Sequence, residues 1–293
     1  VTGSDSEQTG IYALRKTAPE MFNLLCLPAT TQMSKPDAAS CITAAAAFSH
    51  SQRAVLLVDC PLETTPADMG GMSTDLYSTL DSNAVVYYPA LSISDPLNAN
   101  RQRKVGPSGT MAGVIARTDN DRGIWKAPAG TDAVLRGAMP SVQVNDEVNG
   151  TLSSEYGINV IRTFPVYGTV SWGARTVQGG DDRASQWKYL PVRRLALHIE
   201  NSLFVGTKWA VFEPNDEPLW GQLRLNVGTF MHDLFRQGAF AGASPSEAYL
   251  VNCDSSTTTE SDRNNGIVNI VVGFAPAKPA EFVIVSIQQL AQG

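Results

Sequence analysis

The chain has 293 residues, of which 43% are hydrophobic and 17% charged, a composition that excludes disordered, collagen-like and coiled-coil chains. Its net charge of −6 comes from 22 basic and 28 acidic residues interspersed along the sequence, so there is no basic face from which to argue nucleic-acid binding. The longest apolar runs are of strand length, far short of the ~20 residues that span a bilayer, which argues against direct membrane insertion.

The first residue is Val1, and residues 1–8 have neither the basic start nor the apolar stretch of a signal peptide; the chain reads as beginning partway into a longer protein. The first half then alternates short apolar runs with helix-like segments, the pattern of a largely parallel sheet flanked by helices. Residues 22–27, 54–59 and 84–88 read as strands apolar on both faces, as strands covered on both sides are. Asp37 is placed to cap an Ala-rich helix running to about His50, and Ser73 to cap another running to about Leu80. Gly70-Gly71 matches neither GxGxxG nor GxxxxGK[ST] and reads as a flexible connection. A loop carries Arg101, Arg103 and Lys104, after which Pro107-Ser108 opens a helix through Met111, Val114 and Ile115 that Gly123 ends.

Between residues 133 and 177 the signals are irregular, with Gly137, Pro140, Asn149-Gly150 and Gly157 marking turns around short strands at 158–164 and 169–172. Residues 176–183 have no apolar period, and a domain boundary is expected there, giving domains 1–182 and 183–293. Beyond it Val192, Leu195, Ala196, Ile199 and Leu203 recur at helical spacing, as do Leu219, Leu223, Val227, Phe230 and Leu234, which predicts an αα-hairpin joined through 214–218. Three β candidates close the chain, at 248–253, 267–274 and 281–290. The last is apolar on both faces and follows Pro276 and Pro279; left exposed it would be an aggregation hazard, so it must pair, either inside its own sheet or as an arm leaving its own domain.

Chemistry-bearing patterns are few. His50, His198 and His232 show no metal-ligand spacing, and no cofactor or metal motif is present. Cys26, Cys41, Cys60 and Cys253 form no CxxC pair and mostly sit in apolar runs, as free cysteines of a reducing compartment do. A hydrolase reading starts from Asp59 at the end of a strand and Gly109-Thr110-Met111-Ala112-Gly113 in a helix. These look like the aspartate strand and serine helix of subtilisin-like proteases, but the serine between Thr110 and Met111 and the histidine base are both missing. Asp59 then reads as a strand-end or loop-ordering residue. Arg101, Arg103, Lys104, Arg193 and Arg194 are the basic clusters; the default for them is solvated surface, and the functional alternative is pairing with acidic loops of a neighbouring copy.

Several blocks together resemble the contractile tail sheath proteins of phages and phage-tail-like particles. They are Gly10-Ile11-Tyr12-Ala13-Leu14 leading to Phe22-Asn23-Leu24-Leu25-Cys26; Asp119-Asn120-Asp121-Arg122-Gly123-Ile124-Trp125-Lys126; Gly157-Ile158-Asn159 with Thr169-Val170-Ser171-Trp172-Gly173; and Tyr189-Leu190-Pro191-Val192-Arg193-Arg194 with residues 200–214 and 219–240. The resemblance implies a subtilisin-like α/β domain lacking a catalytic triad, whose N-terminal arm is missing from this sequence. An α+β C-terminal sheath domain with a helical hairpin and a terminal exchanged strand follows. It implies a non-enzymatic structural subunit that polymerises as stacked six-subunit rings around an inner tail tube and contracts to drive the tube through a target envelope. Partners would be other copies of itself, the tube protein, and baseplate and terminator proteins. Assembly would take place in the bacterial cytoplasm, into a virion tail or a released particle. Inter-subunit strand exchange is expected to involve Phe282, Val283, Ile284, Val285 and Ile287. A soluble subtilisin-like hydrolase is the alternative.

Overall fold

The computed structural model describes residues 2–17 and 22–281. In chain order its strands and helices are β1 (Leu24–Cys26), α1 (Lys35–Ser51), β2 (Val55–Asp59), α2 (Pro66–Asp75), β3 (Ala84–Tyr88), β4 (Leu91–Asp95), β5 (Arg101–Val105), α3 (Ser108–Arg122), β6 (Ala138–Pro140), α4 (Asp146–Ser154), β7 (Asn159–Phe164), β8 (Gly168–Ser171), α5 (Leu190–Gly206), α6 (Glu217–Arg236), α7 (Pro245–Ala248), β9 (Tyr249–Asn252), α8 (Glu260–Asn264) and β10 (Val271–Phe274).

The three apolar runs become neighbouring strands of a five-stranded sheet ordered β1-β2-β3-β7-β8, parallel except for the final β7–β8 hairpin. Residues of β2 and β3 are buried on both faces because two separate cores sandwich the sheet. One face carries Leu56, Val58, Ala84, Val86 and Tyr88 against Ile42, Ala45 and Phe48 of α1, Met69 of α2 and Leu152 of α4. The other carries Val55, Leu57, Val85, Tyr87 and Ile161 against Met111, Val114 and Ile115 of α3. Leu190 and Leu197 of α5 join this second core, so the helix that opens the C-terminal half also covers the sheet.

Local chemistry shifts several boundaries. Ser34, not Asp37, caps α1: the Asp37 backbone N–H donates to the Ser34 hydroxyl, which donates in turn to the Asp37 carboxylate at 2.6 Å. Ser73 lies buried inside α2, which begins at Thr65-Pro66 through a capping box with Asp68. The cap together with burial of Met69 in the first core offsets the roughly 1 kcal/mol that each of Gly70 and Gly71 costs within the helix, so the two glycines are helical and not a flexible connection. The expected loop at 101–104 is β5, the outer strand of an antiparallel sheet ordered β5-β4-β6; its polar, charged sequence suits an edge rather than a buried strand.

The αα-hairpin forms over the expected residues. Asp216 caps α6, and Leu195 and Ile199 of α5 meet Val227, Met231 and Leu234 of α6 in a third core that Phe240, Tyr249, Val272 and Phe274 complete. The β9–β10 pair is antiparallel and two-stranded among the described residues. No helix there is long and apolar enough to cross a membrane.

Candidate functional site

The aperiodic stretch after β8 is dense in side-chain hydrogen bonds. Asn159 receives the Arg175 backbone N–H on Oδ1 at 2.6 Å and donates through Nδ2 to the carbonyls of Val86 and Arg175, pinning the chain where it leaves β8. Arg175 then points inward with no exposed side-chain surface. Its Nη1 donates at 2.9 Å to the carbonyls of Ser153 and Gly179 and to Asp181 Oδ1. Nε and Nη2 form a two-pronged bond with Glu281 at 2.7 and 2.6 Å, and the Tyr189 hydroxyl donates to the same carboxylate at 3.2 Å. Burial pulls the guanidinium pKa down, but the hydrogen bonds and charge of Glu281, with those of Asp181, outweigh it and hold the pKa above its ordinary value. Asp181 is held below the usual carboxylate range, first by the Lys188 ammonium that donates to it at 2.6 Å and also by Arg175.

This cluster ties together three remote pieces of sequence: the end of α4, the turn leading to α5 and the root of the C-terminal segment. A groove of about 610 Å³ runs beside it, walled by Trp125, Lys126, Trp172 and Tyr189 and by the passage of residues 277–281. Sequence reading missed Arg175 and Glu281 because nothing local marks an ion pair between residues 106 positions apart. Two signals were available: an arginine within an aperiodic Gly-rich turn, and an acidic residue opening an otherwise apolar terminal run.

The basic residues singled out from sequence divide into two groups. Arg101, Arg103 and Lys104 lie exposed along β5, where Lys104 meets Glu63 at 2.6 Å and Arg103 approaches Asp95 at 3.9 Å. Arg193 and Arg194 are not surface residues: they are 8% and 4% exposed, because the first turns of α5 are packed beneath the sheet. Arg194 grips Asp119 of α3 through two bonds of 2.7 and 2.6 Å, and Arg193 donates to Asn83 Oδ1 at 2.9 Å while stacking on Trp187. The strand-exchange residues Phe282, Val283, Ile284, Val285 and Ile287 lie outside the described residues.

At the protease-like elements, Asp59 and Ser108 meet directly: the serine hydroxyl donates at 2.5 Å and its backbone N–H at 2.8 Å to the two carboxylate oxygens. A Cβ on Gly106 would lie 2.5 Å from that carboxylate, so only glycine lets the chain pass. Both side chains are buried, and no histidine is bonded to either among the described residues: His50 pairs with Asp81 and His232 with the Tyr249 hydroxyl. Asp59 thus anchors the start of α3 and presents no nucleophile to solvent. No group of three or more His, Cys, Asp or Glu side chains suited to a metal is present among the described residues. All four cysteines are free, and burial pushes the Cys60 thiol up to about 12, well away from reactivity.

A mixed α/β half followed by a helical hairpin and a small antiparallel sheet is a fold shared with solved assemblies. The chain aligns with a chain of the anti-feeding prophage helical sheath in its contracted state with a TM-score of 0.78 and 31% identity, covering 99% of this chain and 76% of that one. For a chain of the anti-feeding prophage baseplate the TM-score is 0.77 and the identity 33%, over 95% and 71% of the two. Residues 182–289 match the phage tail sheath C-terminal domain family. The tail sheath protein of Vibrio phage KVP40 is 26% identical over 210 residues, and this match spans 71% of the chain but only 29% of that curated relative's length. The chain belongs to the contractile tail sheath family.

Proposed function

We propose that the chain is the shell-forming subunit of a contractile sheath, stacking as six-subunit rings around an inner tube and driving that tube through a target envelope when the packing changes. The observation that carries this reading is the match over 99% of the chain to a sheath in its contracted state. Contraction needs no nucleotide, cofactor or metal if the extended lattice is metastable, because a few kcal/mol released per subunit suffices to switch discrete packings. Residues 1–182 form a subtilisin-like scaffold without protease chemistry, a reading supported by the parallel β1–β3 and the buried Asp59–Ser108 pair. Residues 183–293 form the second unit, and the family match beginning at residue 182 supports that division. Its hairpin, 190–237, faces the tube. The closing strand, expected over 281–290, enters the β9–β10 sheet of a neighbouring copy beyond Glu281, with Phe282 and Ile284 toward one face and Val283 and Val285 toward the other. Among the described residues β9–β10 has two strands, and a sheet of two is marginal alone, which supports a role as acceptor of a further strand. The exposed row Arg101, Arg103 and Lys104 supplies charge contacts between copies. Assembly occurs in the cytoplasm, with baseplate and terminator proteins closing the two ends of a virion tail or released particle.

Negative-stain microscopy of purified protein tests this: six-fold tubes of uniform diameter are expected. A dispersed protein whose serine reacts with a fluorophosphonate probe would replace the sheath reading with the hydrolase one.

A further inference from the structure

Arg175 has five N–H donors, and the structure uses them asymmetrically. Three acceptors, the Ser153 and Gly179 carbonyls and Asp181 Oδ1, crowd Nη1, which leaves the edge formed by Nε and Nη2 facing Glu281. A planar guanidinium edge with two parallel donors matches a carboxylate and few other groups. With the Arg175 side chain wholly buried and the Glu281 side chain 19% exposed beside the groove, removing that carboxylate would leave two donors of a cation facing the vacated space without their charged partner.

We propose that this edge of Arg175 is a carboxylate-binding socket whose resident ligand is Glu281, and that it fastens the root of the C-terminal arm to the α/β half of the same chain. The path of the chain supports this. Ala275 is held on both sides, its N–H donating to the Ala248 carbonyl and its own carbonyl accepting from Ala241 N–H, each at 2.8 Å, and Pro276 bridges Phe240. Between that anchor and the socket only residues 277–280 remain, and they pass along the groove beside Trp125 and Trp172. Residues 275–280 are therefore clamped at both ends. Load on the arm reaches the turn between β8 and α5, and through Asn159 the central sheet, instead of resting on β9–β10 alone.

The mechanical part of this proposal rests on the sheath reading; the socket does not. Two measurements keep them apart. In the first, full-length Glu281→Ala is melted in sodium chloride and in sodium formate at equal ionic strength. It should melt at least about 4 °C below the wild type in chloride. Formate entering the vacated socket should recover part of that loss, while an Arg175→Met, Glu281→Leu double variant should ignore formate. Wild-type melting of Glu281→Ala, or an identical deficit in both salts, overturns the socket. If Glu281→Ala does not fold, Glu281→Gln, which keeps the shape without the charge, should still show a lowered melting temperature, and wild-type melting of that variant overturns the proposal equally. In the second, tubes of Glu281→Ala and wild type are dissociated by urea, with a lower midpoint expected for the variant; equal midpoints overturn the load path. Wild-type protein that forms no tubes overturns the sheath reading and leaves the melting result to decide the socket.

Discussion

Asp59 shows how a residue of catalytic type serves folding instead. Burial raises its pKa above the ordinary carboxylate value, and the two Ser108 hydrogen bonds pull it back only in part. An acid whose folded pKa is raised contributes stability that is fully present below the unfolded value and is lost as pH rises through the folded one. Asp59→Asn keeps an acceptor for the Ser108 N–H without titrating, so its stability relative to wild type should improve between pH 4 and pH 7. Asp59→Ala leaves a buried N–H and hydroxyl unpaired and should cost about 2–3 kcal/mol at pH 4, a deficit that narrows towards pH 7 by the same margin as for Asn because it too no longer titrates. Urea unfolding at the two pH values separates these outcomes, and a flat Asn-minus-wild-type difference would refute the assignment. Arg194 and Asp119 give a second test, because the arginine side chain is 4% exposed and the aspartate 27%. Removing Asp119 strands a buried cation and should cost about 3 kcal/mol, whereas Arg194→Met leaves a carboxylate that water can reach and should cost roughly 1 kcal/mol. Equal losses for Asp119→Ala and Arg194→Met in denaturant titrations would mean that the pair is solvated in both directions.

At the scale of elements, the legible parts were those whose signal is periodic. Strands β1 to β3 and helices α3, α5 and α6 appear where apolar spacing and caps placed them, since their burial patterns are written locally. The β4–β5–β6 sheet was not legible: Arg101-Gln102-Arg103-Lys104 carries no apolar alternation, and an edge strand needs none when its partner supplies the buried face through Leu91. The Gly-rich turn at 176–183 shows no apolar period, yet Val177 N–H and Gln178 Nε2 donate to the remote carbonyls of Ala84 and Leu80, bonds to which no local pattern corresponds. Likewise the basic doublet Arg193-Arg194 looks like surface because its partners Asn83 and Asp119 are remote in sequence. The hairpin tip raises a different point. Phe204, Val205, Trp209, Val211 and Phe212 are exposed there, and Phe212 holds a left-handed φ of 72° with its side chain wholly in solvent. A bulky residue strained and unpacked at a tip is explained by a partner surface, which under the sheath reading is the tube. Phe212→Gly should therefore stabilise the isolated protein by up to about 1 kcal/mol while weakening tube capture. Reduced melting temperature together with undiminished tube capture in a pull-down would overturn both halves of that expectation.

For the whole molecule, the distribution of cores sets which parts can move together. Helix α5 contributes Leu190 and Leu197 to the core beneath the sheet and Leu195 and Ile199 to the hairpin core, so the two halves share one rigid element and should travel as a unit. A packing change between copies then concentrates in whatever joins one rigid body to the next, and the terminal strand is the proposed joint. Because Glu281 satisfies Arg175, the informative truncation ends after Glu281 and not before it: deleting 282–293 removes the exchanged strand and leaves the buried ion cluster whole. On the strand-exchange reading the deleted residues pack on a neighbouring copy and not on their own subunit, so that variant should unfold at the wild-type temperature, within about 2 °C. It should also fail to polymerise, because the β9–β10 sheet of each copy loses the neighbour's strand proposed to bridge them. Sedimentation velocity gives the assembly state and calorimetry the melting temperature on the same samples. Regular tubes from the truncated protein would show that the strand is not the joint. A large drop in melting temperature without any change in assembly would instead place the strand inside its own subunit, as an intramolecular member of the C-terminal sheet.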